Sequence, residues 1–195
     1  MPAPVFTETL QISVVVRDLE QAMRTYVEEY GIGPWDIYEF NPETVSEMRE
    51  SGQSVERSWR LALANVGQVQ WELIQPLDDA SIYATFLTTK GEGVHHIGVA
   101  TPSFDGTIAE LEGKGHEVVL GGEYRGVRFA YLSTDRDLGV ITEIFAAPPG
   151  LEQEPDAVYP AYVRWVKKTG VLANRLRFVK QGDPSSPREI VEAMR

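Results

Sequence analysis

The stretches Leu10-Gln11-Ile12-Ser13-Val14-Val15-Val16 and His95-His96-Ile97-Gly98-Val99-Ala100-Thr101 read as one strand written twice. Each is followed further along the chain by a second matching strand. Val69-Gln70-Trp71-Glu72-Leu73-Ile74-Gln75-Pro76 follows the first, and Val140-Ile141-Thr142-Glu143-Ile144-Phe145 follows the second. Superposing the copies places Gln11 on His96 and Glu72 on Glu143. An amide, an imidazole and two carboxylates at matching strand positions make a mixed oxygen and nitrogen site for a divalent cation. Duplication matters because two half-sites can converge on a point that one short unit would not enclose.

Working outward, Glu8 to Arg17 is β-branched and alternating, and predicts a strand. Asp18 is a good N-cap for a helix over Leu19 to Tyr30, where Leu19, Met23, Tyr26 and Val27 share a face, and Gly31-Ile32-Gly33-Pro34 ends it. Trp35 to Phe40 predicts a second strand. The polar run Asn41 to Glu56 reads as an insertion or a mobile lid. Trp59 to Ala64 and Val69 to Gln75 predict a hairpin around Asn65-Val66-Gly67. A short helix over Ser81 to Thr89 leads to the joint Gly91-Glu92-Gly93. The order then repeats, with a strand over His95 to Thr101, a helix over Phe104 to Lys114, and strands near Glu117 to Leu120, Arg128 to Ser133 and Val140 to Ala146.

Each half therefore reads β-α-β-β-β, over about residues 8–77 and 94–147. Neither has enough apolar surface to stand alone, so the predicted class is α+β: two βαβββ modules sharing a cupped mixed sheet within residues 1–150. Pro148-Pro149-Gly150 marks a boundary. The extension 151–195 has helical spacing over Tyr159 to Thr169 (Tyr162, Trp165, Val166) and again over Pro187 to Arg195, and belongs to neither repeat.

The chain has 195 residues, 43% of them hydrophobic and 24% charged, the values of an ordinary globular protein. Its longest apolar runs are strand-sized, which argues against a membrane span, and no secretory signal pattern opens it. The absence of cysteine excludes disulfides, thiolate catalysis and cysteine-ligated zinc, and fits a cytoplasmic location. A net charge of −11 and a pI near 4.8 argue against a nucleic-acid partner. Between Ala157 and Gly182, however, stand six basic residues and no acidic one. They read either as a basic tail docking on an acidic body or as a clamp for an anionic substrate.

Strand alternation places Ser13 beside Gln11 on the inward face, Gln70 and Ile74 beside Glu72, Gly98 beside His96, and Phe145 beside Glu143. These are the candidate substrate-binding residues: small or apolar surroundings for a few polar groups, the composition of a ligand pocket. Two buried carboxylates repel each other unless a cation holds both charged. Taken singly, each donor has a plainer reading. Gln11 suits a strand edge, and Glu72 and Glu143 suit the wet face of a half-buried strand. His95 and His96 are adjacent and are expected on opposite faces, with only His96 joining the site.

The two units resemble the βαβββ modules of the vicinal oxygen chelate superfamily, which includes glyoxalase I, methylmalonyl-CoA epimerase, extradiol dioxygenases and bleomycin or fosfomycin resistance proteins. Glu72-Leu73-Ile74-Gln75-Pro76-Leu77, then Phe86-Leu87, then Gly91-Glu92-Gly93-Val94-His95-His96-Ile97 is most similar to the epimerase pattern. The resemblance covers about residues 8 to 147. It implies metal ligands at Gln11, Glu72, His96 and Glu143 and one divalent cation, with Zn, Co, Ni, Mn and Mg all admissible. The epimerases usually carry His at the first position, whereas Gln-Glu-His-Glu resembles the zinc glyoxalase I set and departs from the His-rich triad of iron dioxygenases.

What the resemblance implies for activity is proton abstraction next to the carbonyl of an acyl or keto substrate, with a metal-stabilised enediolate, as in an isomerase, epimerase or lyase. Glu143 is the expected base, and Glu56 falls near the family's second acid. A small-molecule-binding, resistance-type protein is the alternative from another class, and a ring-cleaving dioxygenase is the third. A homodimer is expected, to cover open sheet edges and the Tyr162/Trp165 face.

Overall fold

The computed structural model describes residues 4–124 and 127–146, together with the backbone of 176–178. The first module runs β1 (Glu8–Val15), α1 (Leu19–Tyr30), β2 (Trp35–Phe40), β3 (Val45–Glu50), β4 (Gln53–Ser54), β5 (Trp59–Val66) and β6 (Val69–Pro76). Helix α2 (Ile82–Thr89) links it to β7 (Gly93–Ala100), α3 (Phe104–Glu112), β8 (Val118–Tyr124), β9 (Val127–Leu132), α4 (Asp135–Leu138) and β10 (Ile141–Phe145). The local signals that set α1 are met: Asp18 accepts from the Gln21 N–H at 2.9 Å, and Gly31 closes the helix at φ +68°.

The strands form one mixed sheet in the order β11-β2-β5-β6-β1-β7-β10-β9-β8-β3-β4, where β11 is Leu176–Phe178. At its centre β1 runs antiparallel to β7, with β6 parallel to β1 on one side and β10 parallel to β7 on the other. The duplication read from the sequence is thus a pseudo-two-fold between β1 and β7. Strands β2 and β3 lie near opposite ends of the order, yet only residues 41–44 separate them in the chain. A four-residue link can join them only if the sheet curls until its ends approach, so the sheet is a half-barrel. Phe40 completes the approach, stacking on Trp59 (centroids 5.1 Å, 18°) and on Tyr124 of the other module (4.1 Å, 20°).

Helices α1 and α3 each cover the outer face of one module, over Leu19, Met23 and Leu73 and over Leu111, Leu132 and Ile144. The inner face carries a separate core in which Tyr83 and Leu87 of α2 pack against Val15, Ile74 and Tyr131. Among the described residues, no helix is long and apolar enough to cross a membrane.

One expectation needs correction. The 41–56 segment is neither a simple insertion nor a lid. It contains β3 and β4, and β3 pairs antiparallel with β8 of the second module. Its two inward residues, Val45 and Met48, are three apart because the register shifts between Ser46 and Arg49, with Glu47 at φ +53°. That bulge breaks the period-two signal by which a strand is recognised. The sheet ends in two short strands, β4 beside Arg49 and Glu50 of β3 and β11 beside Trp35 to Ile37 of β2. The tail helices expected over 159–169 and 187–195, and the boundary at 148–150, lie outside the described residues.

Candidate metal centre

The four candidate donors occupy two neighbouring rows across the middle of the sheet. In one row Gln70, Gln11, Gly98, Glu143 and Tyr131 are successive partners, and in the other Glu72, Ser13, His96 and Ile141. Each row sets a small residue between two donors: Gly98 between Gln11 and Glu143, and Ser13 between Glu72 and His96. These small residues are related by the pseudo-two-fold, and they leave the space into which the longer side chains lean. At Gly98 the fit is tight, since a Cβ there would lie 2.9 Å from Gln11 Oε1 and 3.0 Å from Gln11 Cβ.

Glu72, His96 and Glu143 are buried, and each offers a ligand atom within 4.8 Å of the others. His96 Nε2 stands 3.2 Å from an oxygen of each carboxylate. It points between them and makes a directed hydrogen bond with neither. Gln11, 6% exposed, donates its amide to Gln70 Oε1 at 2.6 Å, which leaves its own Oε1 free. Among the described residues, Gln11 Oε1 and His96 Nε2 are the buried side-chain polar atoms with no hydrogen-bond partner. Buried polar atoms are rarely left so; Gln11 Oε1 bears lone pairs, and His96 Nε2 presents one once the imidazole gives up its proton. A divalent cation is the partner this donor set fits.

The surrounding groups hold the candidate donors in place. Ser13 Oγ donates to Glu72 Oε2 at 2.5 Å. Tyr83 donates to the Tyr131 hydroxyl at 2.9 Å, and Tyr131 hydrogen-bonds Glu143. Burial, reinforced by the charge of Glu143, holds both tyrosines well above the ordinary phenol range, so they remain protonated donors. Burial also raises the Glu143 carboxyl, against the lowering effect of His96. Burial alone would depress His96, but the Glu143 and Glu72 carboxylates outweigh it and take the imidazole to about 9.

His95 does not point away from the site. Ser13 pairs with His96 but Val14 pairs with Val94, so His95 is the extra residue of a β-bulge. Both imidazoles are buried, with Nδ1 atoms 3.0 Å apart. Burial, then the neighbouring His96 and Lys90, lowers His95 to about 3, so it is neutral. If His96 presents the Nε2 lone pair, its Nδ1–H donates to His95 Nδ1, the arrangement that fixes the tautomer of a metal-binding histidine.

Gln11, Glu72 and Glu143 line a cavity of about 60 Å³ that opens to solvent. Of the expected substrate-binding residues, Phe145 lines it. Ser13 and Gln70 instead hydrogen-bond the candidate donors Glu72 and Gln11, Gly98 makes room for Gln11, and Ile74 belongs to the inner core. Glu56 is exposed between β4 and β5 and is not part of the lining. The walls that sequence reasoning missed are aromatic: Phe40, Trp59, Tyr124, Phe129 and Tyr131. Their signal was present as bulky residues at alternate positions, in Trp59-Leu61-Leu63 and Val127-Phe129-Tyr131.

Residues 10–131 match the family model of the glyoxalase/bleomycin resistance protein/dioxygenase superfamily, and the chain belongs to that superfamily. No curated protein matches it. Among solved structures it is similar in fold to methylmalonyl-CoA epimerase from Mycobacterium tuberculosis, with 21% identity and a TM-score of 0.57 over 78% of this chain and 96% of that one. A methylmalonyl-CoA epimerase in complex with methylmalonyl-CoA and NH4+ is 25% identical, with a TM-score of 0.56 over 72% and 94% of the two chains. A variant of the Streptomyces coelicolor epimerase in complex with 2-nitronate-propionyl-CoA is also 25% identical, with a TM-score of 0.54 over 72% and 96%.

Proposed function

We propose that this chain is a metal-dependent enzyme that moves a proton next to a carbonyl, an isomerase, epimerase or lyase in class, with Gln11, Glu72, His96 and Glu143 holding the cation. The observation that carries this reading is the pair of unpartnered buried atoms, Gln11 Oε1 and His96 Nε2, beside two buried carboxylates at the floor of an open cavity. A bound divalent cation would supply polarisation of the substrate carbonyl and stabilisation of charge on its oxygen. The acyl-CoA compounds held in complexes of the similar epimerases are of a class that fits the same proton-moving chemistry.

The chain's own residues divide the remaining work. Glu143 is the base: it reaches the cavity, its carboxyl is raised by burial, and the Tyr131 hydroxyl holds it in place. Glu72, pinned by Ser13, lies on the other side of the central β1–β7 pair. The only carboxylates in the described lining are these two. Chemistry in which one base takes up and returns the proton therefore fits better than a pair of acids that are independent of the metal.

The test is deuterium incorporation from D2O into acyl-CoA and α-keto compounds by metal-loaded protein. Glu143→Gln should keep the fold and an oxygen at the same place while losing on the order of 10²–10⁴ in exchange rate. Wild-type exchange by that variant with metal bound would move the base elsewhere, with Glu56 tested next.

A further inference from the structure

The cavity above the candidate metal centre has almost no charge of its own. Its described walls come from both modules and are aromatic or aliphatic, with Leu61 and Leu63 completing the side formed by Trp59. Phe40 stands between Trp59 and Tyr124 in a near-parallel stack, and Phe129 meets Tyr131 edge-on at 6.0 Å and 78°. Phe40 fills the space between Trp59 and Tyr124, so what this aromatic lining offers a flat apolar group is face and edge contact on its cavity side. Among the described residues the lining contains no lysine, arginine or histidine, and its only ionisable carboxylates are Glu72 and Glu143. An anionic group carried against such walls would lose its hydration and find no basic side chain among the described lining residues to pair with, the proposed cation on the floor being already balanced by Glu72 and Glu143.

We infer that the substrate presents an uncharged, apolar, ring-sized group to this cavity while its oxygen-bearing end reaches the floor, and that a free carboxylate beside the reacting carbon is selected against. Specificity lies with Phe40, Trp59 and Phe129. The inference rests on the metal-site reading above and adds the chemical class of what enters. Arg125 and the basic residues 164–180 lie outside the described residues, so the test includes a charged arm.

Full-length protein loaded with cobalt(II) is titrated with three chelators that share one head group: benzohydroxamate, acetohydroxamate and the monohydroxamate of succinic acid. The visible cobalt spectrum reports arrival at the metal without any turnover. Benzohydroxamate should bind at least about tenfold more tightly than acetohydroxamate, the succinic probe no more tightly than acetohydroxamate, and Phe40→Leu should shrink the aromatic preference. Calorimetry on the same samples gives the affinities, and circular dichroism of Phe40→Leu checks its fold. Equal affinities, or tightest binding of the succinic probe, overturn the inference while leaving the metal site standing. A spectrum unmoved by all three probes overturns the metal-site reading, and the inference falls with it.

Discussion

Gly98 is the position where one methyl group would be felt most directly at the site. A Cβ there would sit within 3.0 Å of Gln11 Cβ and 2.9 Å of its Oε1, so Gly98→Ala must displace the amide. Metal affinity should fall at least as far as in Gln11→Ala, read by titration of the chelator-stripped protein. His96→Ala should weaken it more than either, because imidazole is the stronger donor to transition metals. His95→Leu removes the acceptor facing His96 Nδ1 at 3.0 Å and should cost about 10–100-fold in metal affinity, the usual effect of losing such a support. Unchanged affinity in His95→Leu would show that the contact between the imidazoles does not orient the ligand. The four donors were legible because the repeat put like residues at like positions. The role of His95 was not, because alternation alone sends adjacent residues to opposite faces, and the bulge that overrides it depends on the pairing of β7 with β1. Ser13, Gln70 and Gly98 were likewise found as inward residues. Their work on neighbouring side chains became visible only once strands far apart in sequence were side by side.

At the scale of elements, the hairpin β3–β4 decides how the half-barrel closes. Met48 is 5% exposed in the inner core, whereas Gln53 on β4 is exposed. Met48→Ala should destabilise the protein by about 2–5 kcal/mol. Gln53→Ala should stay within about 0.5 kcal/mol. Urea unfolding of the two variants checks the contrast, and near-neutral values for both would return this segment to the status of a lid. At the far end of the scale of cost, Asp18→Ala removes the cap of α1 and should lose about 1 kcal/mol. Caps, helix faces and hairpin turns were readable because each is local. The partnership of β3 with β8 was not, since Ser46 and Glu123 meet across 77 residues of chain.

For the molecule as a whole, the candidate donors are divided between two modules, so on the proposed reading occupancy should stabilise the entire half-barrel. At a free metal concentration about 100 times the dissociation constant, linkage contributes about 2.7 kcal/mol. For a chain of this size that corresponds to roughly 5–10 °C in Tm. Chelation with EDTA should remove that increment and metal should restore it, while a Tm indifferent to both would mean that no ion bridges the modules. The expected homodimer is argued from the sheet edges and from the Tyr162/Trp165 face, the latter outside the described residues. Sedimentation at micromolar concentration checks it, and a monomer would refute it.

The division of donors has one more consequence. Residues up to the Gly91 joint own Gln11 and Glu72, residues after it own His96 and Glu143, and neither piece owns more than two. If the chain is cut at that joint, the site acts as a coincidence detector. Neither fragment alone should hold the ion tightly, and mixing them should bring binding back only as β1 finds β7 and β3 finds β8. Cobalt colour would then report reassembly of the split protein, tying a visible signal to the meeting of the two fragments.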